Sequence, residues 1–294
     1  GDDQFPILSP AAITHGNGCR VWDPDGNEFI ECLGGLASIS LGHAYPSVIE
    51  RVQKELQKGN NFSRPSTIEG EIAERFLANI AGHDMIKFAK NGSVVTTAAV
   101  KLARAYTGRK LVARPVDHPF YSYDDWFIGS TDVKSGIPDD ISSLTVLYRS
   151  DDIQSLIDLF DKYPTEIACV ISEPEKFNVL PEDYLKNAIS IAHKHGAIWI
   201  MDEMITGYRT AFPGSMKKYD VVPDIATWGK GIANAVLFEL EKGASELGYK
   251  RCILETGHKQ PEAISLYRKS GYAVIPNYGQ YGNVTNSICF EKML

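Results

Sequence analysis

The sequence predicts an α/β fold built on a parallel-rich sheet with helices on both faces, and three observations predict it. From Met85 onward, short apolar runs alternate with helix-period stretches. The runs, among them IACVIS and AIWIMDE, are almost continuously apolar, as strands buried on both faces must be. The helix-period stretches between them are long enough to serve as crossover connections.

The elements follow in order. Residues 20–33, RVWDPDGNEFIECL, read as a hairpin turning at Asp25-Gly26. Residues 46–57 form an amphipathic helix with Val48, Ile49, Val52 and Leu56 on one face, and residues 67–81 a second with Ile68, Ile72, Phe76, Leu77 and Ile80. MIKFA is expected as a strand, then a helix over 95–106 and the strand run KLVARP. SLTVLY, a helix over 153–162, IACVIS, a helix over 181–195 and AIWIMDE continue the alternation. After residue 235 the texture changes. A helix over 232–247 stops at Gly248, RCILET is a strand, Pro261 opens a helix ending at Gly271, and YAVI and SICFEKML are the last strands.

Composition narrows the function. The 294 residues suffice for one large domain or two ordinary ones, and 44% apolar with 23% charged residues is a globular composition. A net charge of −7 without a basic run argues against nucleic-acid binding. No apolar run reaches the length of a membrane span, and GDDQFPILSP has no signal-peptide pattern. Five scattered cysteines without a CxxC pair read as reduced thiols, so a cytoplasmic location is expected. His193 and His195 are two apart on a helix, a poor metal pair, and no nucleophile-elbow, phosphate-loop or zinc spacing appears.

The chemistry-bearing residues gather at strand ends. Asp202 closes the run AIWIMDE, where parallel α/β sheets bind ligands. A carboxylate there needs a partner, and a protonated pyridine nitrogen is a suitable one. Lys230 ends the next run between Gly229 and Gly231, placed to form a Schiff base. An aspartate for a pyridinium and a lysine for an aldehyde are the two requirements for holding pyridoxal phosphate (PLP). Asn91-Gly92-Ser93 leads into a helix whose first amides would cradle a phosphate. Phe120 is placed to stack on a flat ring, and Glu173 closes another strand beside the substrate or the ring hydroxyl. A glycine-serine turn alone is a helix cap and a loop lysine alone is solvated; their order and shared placement at strand ends carry the reading.

Residues 1–235 resemble a class III aminotransferase of the glutamate-1-semialdehyde aminomutase-like branch. The resemblance rests on GNGCRVWDPDGNEFIE, LGHAYPSV, KNGS with VTTAAVKLARAYTGR, SEPE, HKHGAIWIMDEMITGYR and PDIATWGKGIAN. It implies a fold-type I PLP-dependent transferase large domain, with Lys230 as the Schiff-base lysine and Asp202 on the pyridine nitrogen. It places Gly92 and Ser93 at the phosphate and Phe120 on the ring face. Tyr121 falls where many members carry histidine, and Arg64 lies in a segment bordering the substrate entrance, suited to a substrate carboxylate. Val94 stands where the family usually has an acidic residue.

From about residue 229 to 294 the chain resembles the C-terminal half of a GNAT acetyltransferase. Gly229, Gly231 and Ala233 match the glycine turn whose helix holds the coenzyme A pyrophosphate, and Trp228 stands where that family has Arg or Gln. Tyr267 matches the tyrosine that protonates the leaving thiolate, and reads equally as a helix aromatic packed on a sheet. The expected organisation is therefore an incomplete aminotransferase domain, 1–235, followed by a GNAT-like half-domain, 236–294. Three functions follow: PLP-dependent amino transfer to or from a small carbonyl compound, acetyl-CoA-dependent N-acylation, or a chimera without working catalysis. Homodimerisation or higher self-association is expected of such exposed sheet edges and apolar faces.

Overall fold

Arg20–Trp22 (β2) and Glu28–Ile30 (β3) pair antiparallel across the turn predicted at Asp25-Gly26, and His15–Asn17 (β1) adds a third strand. The turn closes on Asp23, whose carboxylate accepts from Asp25 N at 3.0 Å and Asn27 N at 2.8 Å. Gly26 supplies the left-handed residue, φ 82°. The computed structural model describes residues 10–118, 120–175, 180–181, 183–229, 251–257, 268, 272–277 and 287–293. The chain divides into two units, Gly1–Ala233 and Asn234–Leu294.

Two amphipathic helices follow the small sheet, α1 (Pro46–Leu56) and α2 (Thr67–Leu77), and neither buries a residue fully. Ile49, Val52 and Leu56 on α1, and Ile72 on α2, stay exposed. MIKFA does not join a sheet. It carries the exposed Lys87 at its centre and leaves Met85 and Phe88 in solvent, so it would gain little from a doubly covered sheet.

The central sheet is built from the apolar runs. Helix α3 (Gly92–Thr107) precedes β4 (Leu111–Pro115) and β5 (Thr145–Tyr148). Helix α4 (Ile153–Lys162), β6 (Ile167–Ser172), α5 (Tyr184–Lys194), β7 (Ile198–Glu203) and β8 (Ile225–Trp228) complete it. The strand order is β5-β4-β6-β7-β8, with every neighbouring pair parallel. All residues of β4 and β6 are buried, which explains their mostly apolar runs; the exception inside β4 is Arg114, whose guanidinium donates to Ser130 Oγ and to the Ser130 and Pro115 carbonyls. Cys169 and Ile171 pack with Val100 and Ala103 of α3 and with Trp126 and Phe127 on one face. Val170 and Trp199 pack with Leu156 and Phe160 of α4 and Leu185 of α5 on the other. Burial pushes the Cys169 thiol up to about 12, so this cysteine is a core residue and not a nucleophile.

Helix ends are set locally. Asn91 caps α3 by accepting from Val94 N at 3.0 Å, and Gly108 stops it at φ 70°. Asp152 caps α4 by accepting from Gln154 N and Ser155 N. In the second unit β9 (Arg251–Gly257), β10 (Ala273–Ile275) and β11 (Ser287–Met293) coincide with RCILET, YAVI and SICFEKML. They form an antiparallel sheet with β11 in the middle.

This packing sets a contrast in stability. Phe160→Ala removes a side chain 1% exposed and is expected to cost about 3–5 kcal/mol in urea unfolding. Leu102→Ala on the open face of α3 is expected to stay within about 0.5 kcal/mol. Equal losses at the two positions would contradict the core assignment.

Candidate active site

Asp202 lies near the carboxyl end of β7 and is 2% exposed. Parallel pairing sets Thr227 of β8 beside it. Asp202 Oδ1 accepts from Thr227 Oγ1 at 2.9 Å and from Met204 N at 2.9 Å. These two donors offset part of the cost of burying a carboxylate. Neither Thr227 nor Met204 is singled out by sequence reasoning, although a threonine inside the run IATW is the visible signal for the first.

Met204 joins the rest of the site. A Cβ at Gly92 would meet Met204 Cε at 3.0 Å, and a Cβ at Gly229 would run into Met204 Sδ. The first residue of α3 and the residue after β8 therefore both lie against the side chain of the residue whose amide holds Asp202. Lys230 follows Gly229 directly and lies outside the described residues, as do Gly231, Ala233 and Tyr267.

The amino end of α3 is open as a cradle requires. Val94 N goes to Asn91 Oδ1 and Val95 N to the Asn91 carbonyl. Gly92 N and Ser93 N make no intramolecular hydrogen bond among those of the described residues. Ser93 Oγ accepts from Tyr123 N at 3.3 Å. Thr96 Oγ1 donates to the buried Tyr121 carbonyl at 2.9 Å, and Thr97 Oγ1 shares a 3.0 Å bond with Ser122 Oγ. The 120s loop is thereby fastened to the first turns of the helix.

Tyr121 is buried against Trp126 and Phe127. Its hydroxyl accepts from Glu173 N at 3.0 Å and bonds His118 Nδ1. Burial, reinforced by the Glu173 and Asp202 carboxylates, holds the phenol well above its ordinary range, so it is a neutral group at physiological pH. Phe120 is 53% exposed and meets Phe127 edge-on with centroids 5.4 Å apart, so its ring is available to a ligand. The structure thus brings Gly92, Ser93, Tyr121, Glu173, Asp202 and Gly229 together.

Arg64 is elsewhere. It lines a cleft of about 600 Å³ with Arg51, Glu55, Phe62 and Glu71, whose lining contains none of the strand-end residues. Trp228 is a packing residue at the end of β8. Its indole meets Phe76 edge-on at 5.3 Å and Tyr208 at 5.4 Å, and a Cβ at Gly207 would run into it. Beside Asp202, Glu203 is fully buried and organises the following turn, accepting from Met216 N at 3.0 Å and from the Thr206 hydroxyl. Among the described residues no cluster of three or more His, Cys, Asp or Glu is placed to hold a metal, and no helix is long and apolar enough to cross a membrane.

The larger unit is thus a parallel α/β sheet covered on both faces, with Asp202 near the carboxyl end of β7 and the first residue of α3 against Met204. The chain belongs to the class-III aminotransferase family, whose model matches residues 4–248 and so extends past residue 235. It is 32% identical over 251 residues to glutamate-1-semialdehyde 2,1-aminomutase from Sulfurihydrogenibium sp. (strain YO3AOP1), covering 81% of this chain and 58% of that protein. It is 31% identical over 261 residues to the same enzyme of Persephonella marina, covering 84% and 59%. The chain thus spans about 58% of the length of the curated relatives it matches. Among solved structures, the FumI protein of Sphingopyxis sp. MTA144 in its PLP internal aldimine form has TM-score 0.71 at 27% identity, covering 80% of this chain and 58% of that one. An omega-transaminase from Sphaerobacter thermophilus has TM-score 0.70 at 24% identity over 76% and 55%, a likeness of fold.

Burial raises the Glu203 carboxyl above its ordinary 4.5, so the folded state binds the proton more tightly than the unfolded chain. The corresponding stability is present at acid pH and is lost as pH rises from about 4.5 through the folded value. Glu203→Gln removes that loss. Its unfolding free energy relative to wild type is expected to climb with pH across this window, and Glu203→Ala, which lacks the same carboxyl and also strips two acceptors, is expected to lie about 1–3 kcal/mol below Glu203→Gln at every pH. A pH-independent difference for the glutamine variant would contradict the assignment.

Proposed function

We propose that the chain holds PLP through Lys230 and transfers an amino group to or from a small carbonyl compound. The observation that carries the proposal is the buried Asp202 carboxylate, held by Thr227 and Met204 beside glycines at the helix amino end and before Lys230. The residues present fit the cofactor: an acceptor for a protonated ring nitrogen, open amides and a hydroxyl for a phosphate, and glycines where a Cβ would fill the space. When bound, PLP supplies an electron sink for the substrate amine.

In this reading Asp202 would keep the proton on the ring nitrogen. Gly92 N, Ser93 N and Ser93 Oγ would hold the phosphate, and Phe120 would lie against the ring. Lys230 Nζ would hold the aldehyde and would carry the proton that amino transfer requires. Tyr121 and Glu173 form the polar wall, and Arg64 remains the candidate for a substrate carboxylate, in a cleft whose lining holds none of these residues. A cytoplasmic homodimer remains part of the proposal. The acetyl-CoA reading of 229–294 gains no support from the comparisons, and its residues Gly231, Ala233 and Tyr267 lie outside the described ones.

Wild-type protein given PLP and freed of excess is expected to keep a visible absorption band that Lys230→Ala lacks. Removing the charged acceptor in Asp202→Ala forfeits a charge-assisted bond worth about 1.5–3 kcal/mol, so PLP affinity should fall roughly 10- to 100-fold. A wild-type protein that stays colourless would leave the non-catalytic chimera as the better reading. A melting-temperature rise with acetyl-CoA instead would favour acylation.

A further inference from the structure

His118 is not among the residues the family resemblance supplies, yet it is buried, 6% exposed, in the loop after β4. Its Nδ1 bonds the Tyr121 hydroxyl and lies 3.3 Å from Glu173 N, while Glu173 N donates to the Tyr121 hydroxyl at 3.0 Å. The three atoms form a small triangle, and the Glu173 N–H points into it.

The triangle fixes the protons. A hydrogen on His118 Nδ1 would face the Glu173 N–H across 3.3 Å, donor against donor. With Nδ1 as a lone pair, every group is satisfied: Glu173 N donates to Tyr121 Oη, and Tyr121 Oη donates to His118 Nδ1. The imidazole is then neutral with its hydrogen on Nε2. Tyr121 is also held from behind, by Thr96 Oγ1 on its carbonyl and by Trp126 and Phe127 against its ring.

We infer that His118 is a positioning residue for the candidate cofactor site: by accepting the Tyr121 hydroxyl proton, it locks that hydroxyl against the Glu173 amide and so holds the loop that carries Phe120 and Tyr121 to the end of β6. Removing His118 leaves the hydroxyl proton without this acceptor and loosens the loop from the sheet. The role in cofactor binding rests on the proposed PLP reading; the hydrogen-bond lock does not.

The experiment combines imidazole nitrogen NMR with PLP titration. In ¹⁵N-histidine-labelled protein at neutral pH, His118 is expected as the Nε2–H tautomer with an unprotonated Nδ1. An Nδ1–H tautomer or an imidazolium would overturn the lock. PLP affinity is expected to fall about 5- to 20-fold in His118→Ala, in line with one buried hydrogen bond, and to recover to within about twofold of wild type in His118→Asn, whose amide oxygen can replace Nδ1 as acceptor. In a Tyr121→Phe background, His118→Ala should cause no further loss, which a merely structural role would not predict. Loss in that background, or failure of asparagine to rescue, would overturn the positioning role. If wild type binds no PLP while His118 shows the Nε2–H tautomer, the site reading falls and the lock stands. The wild-type spectrum and the asparagine variant decide the lock even if His118→Ala does not fold.

Discussion

A carboxylate buried at the end of a parallel strand is the constraint around which this molecule is arranged. Asp202 is removed from water, and such a group is tolerated only where donors meet it. Thr227 and the Met204 amide do so, and both depend on the pairing of β7 with β8. A one-residue slip would turn Thr227 to the opposite face. The strand that this register aligns leads to Gly229, which lies against Met204, as does Gly92, the first residue of α3. Sheet pairing and burial of the acid are one structural fact.

The neighbouring residues divide the work of holding it. Glu203, one residue on, is also buried but spends its oxygens on the turn that follows. Trp228 packs over Gly207 in that turn, and Phe76 and Tyr208 close around the indole. On the other side, Thr96 and Thr97 stitch the 120s loop to α3, and Tyr121 connects that loop to the end of β6 through Glu173 N. The polar atoms of the site are thus set by rigid elements on three sides. The exposed apolar side chains of α1 and α2 lie in the part of the first unit that buries least.

The sheet was legible because β4 and β6 are buried on both faces and the sequence shows this as nearly continuous apolar runs. The places of Asp202 at a strand end and of Gly92 and Ser93 at a helix start were legible because both are local signals. MIKFA misled for the same reason: a short apolar run does not say whether a neighbour exists to pair with it. His118 was not legible, since its meaning arises from Tyr121 and from Glu173, fifty-five residues away. Thr227 acquires its role only through the register opposite Asp202. Trp228 invited comparison with an arginine or glutamine of another family, while its environment is aromatic packing. Residues that act alone at element ends could be read; those that act through a partner distant in sequence could not.

The most direct test of this account is chemical. Protein loaded with PLP, reduced with borohydride, digested and mapped by mass spectrometry is predicted to carry the pyridoxyl label on Lys230, the residue that follows Gly229 in the sequence. Label on another lysine, or none, would contradict the claim that the buried aspartate, the helix amino end and the end of β8 make one cofactor site.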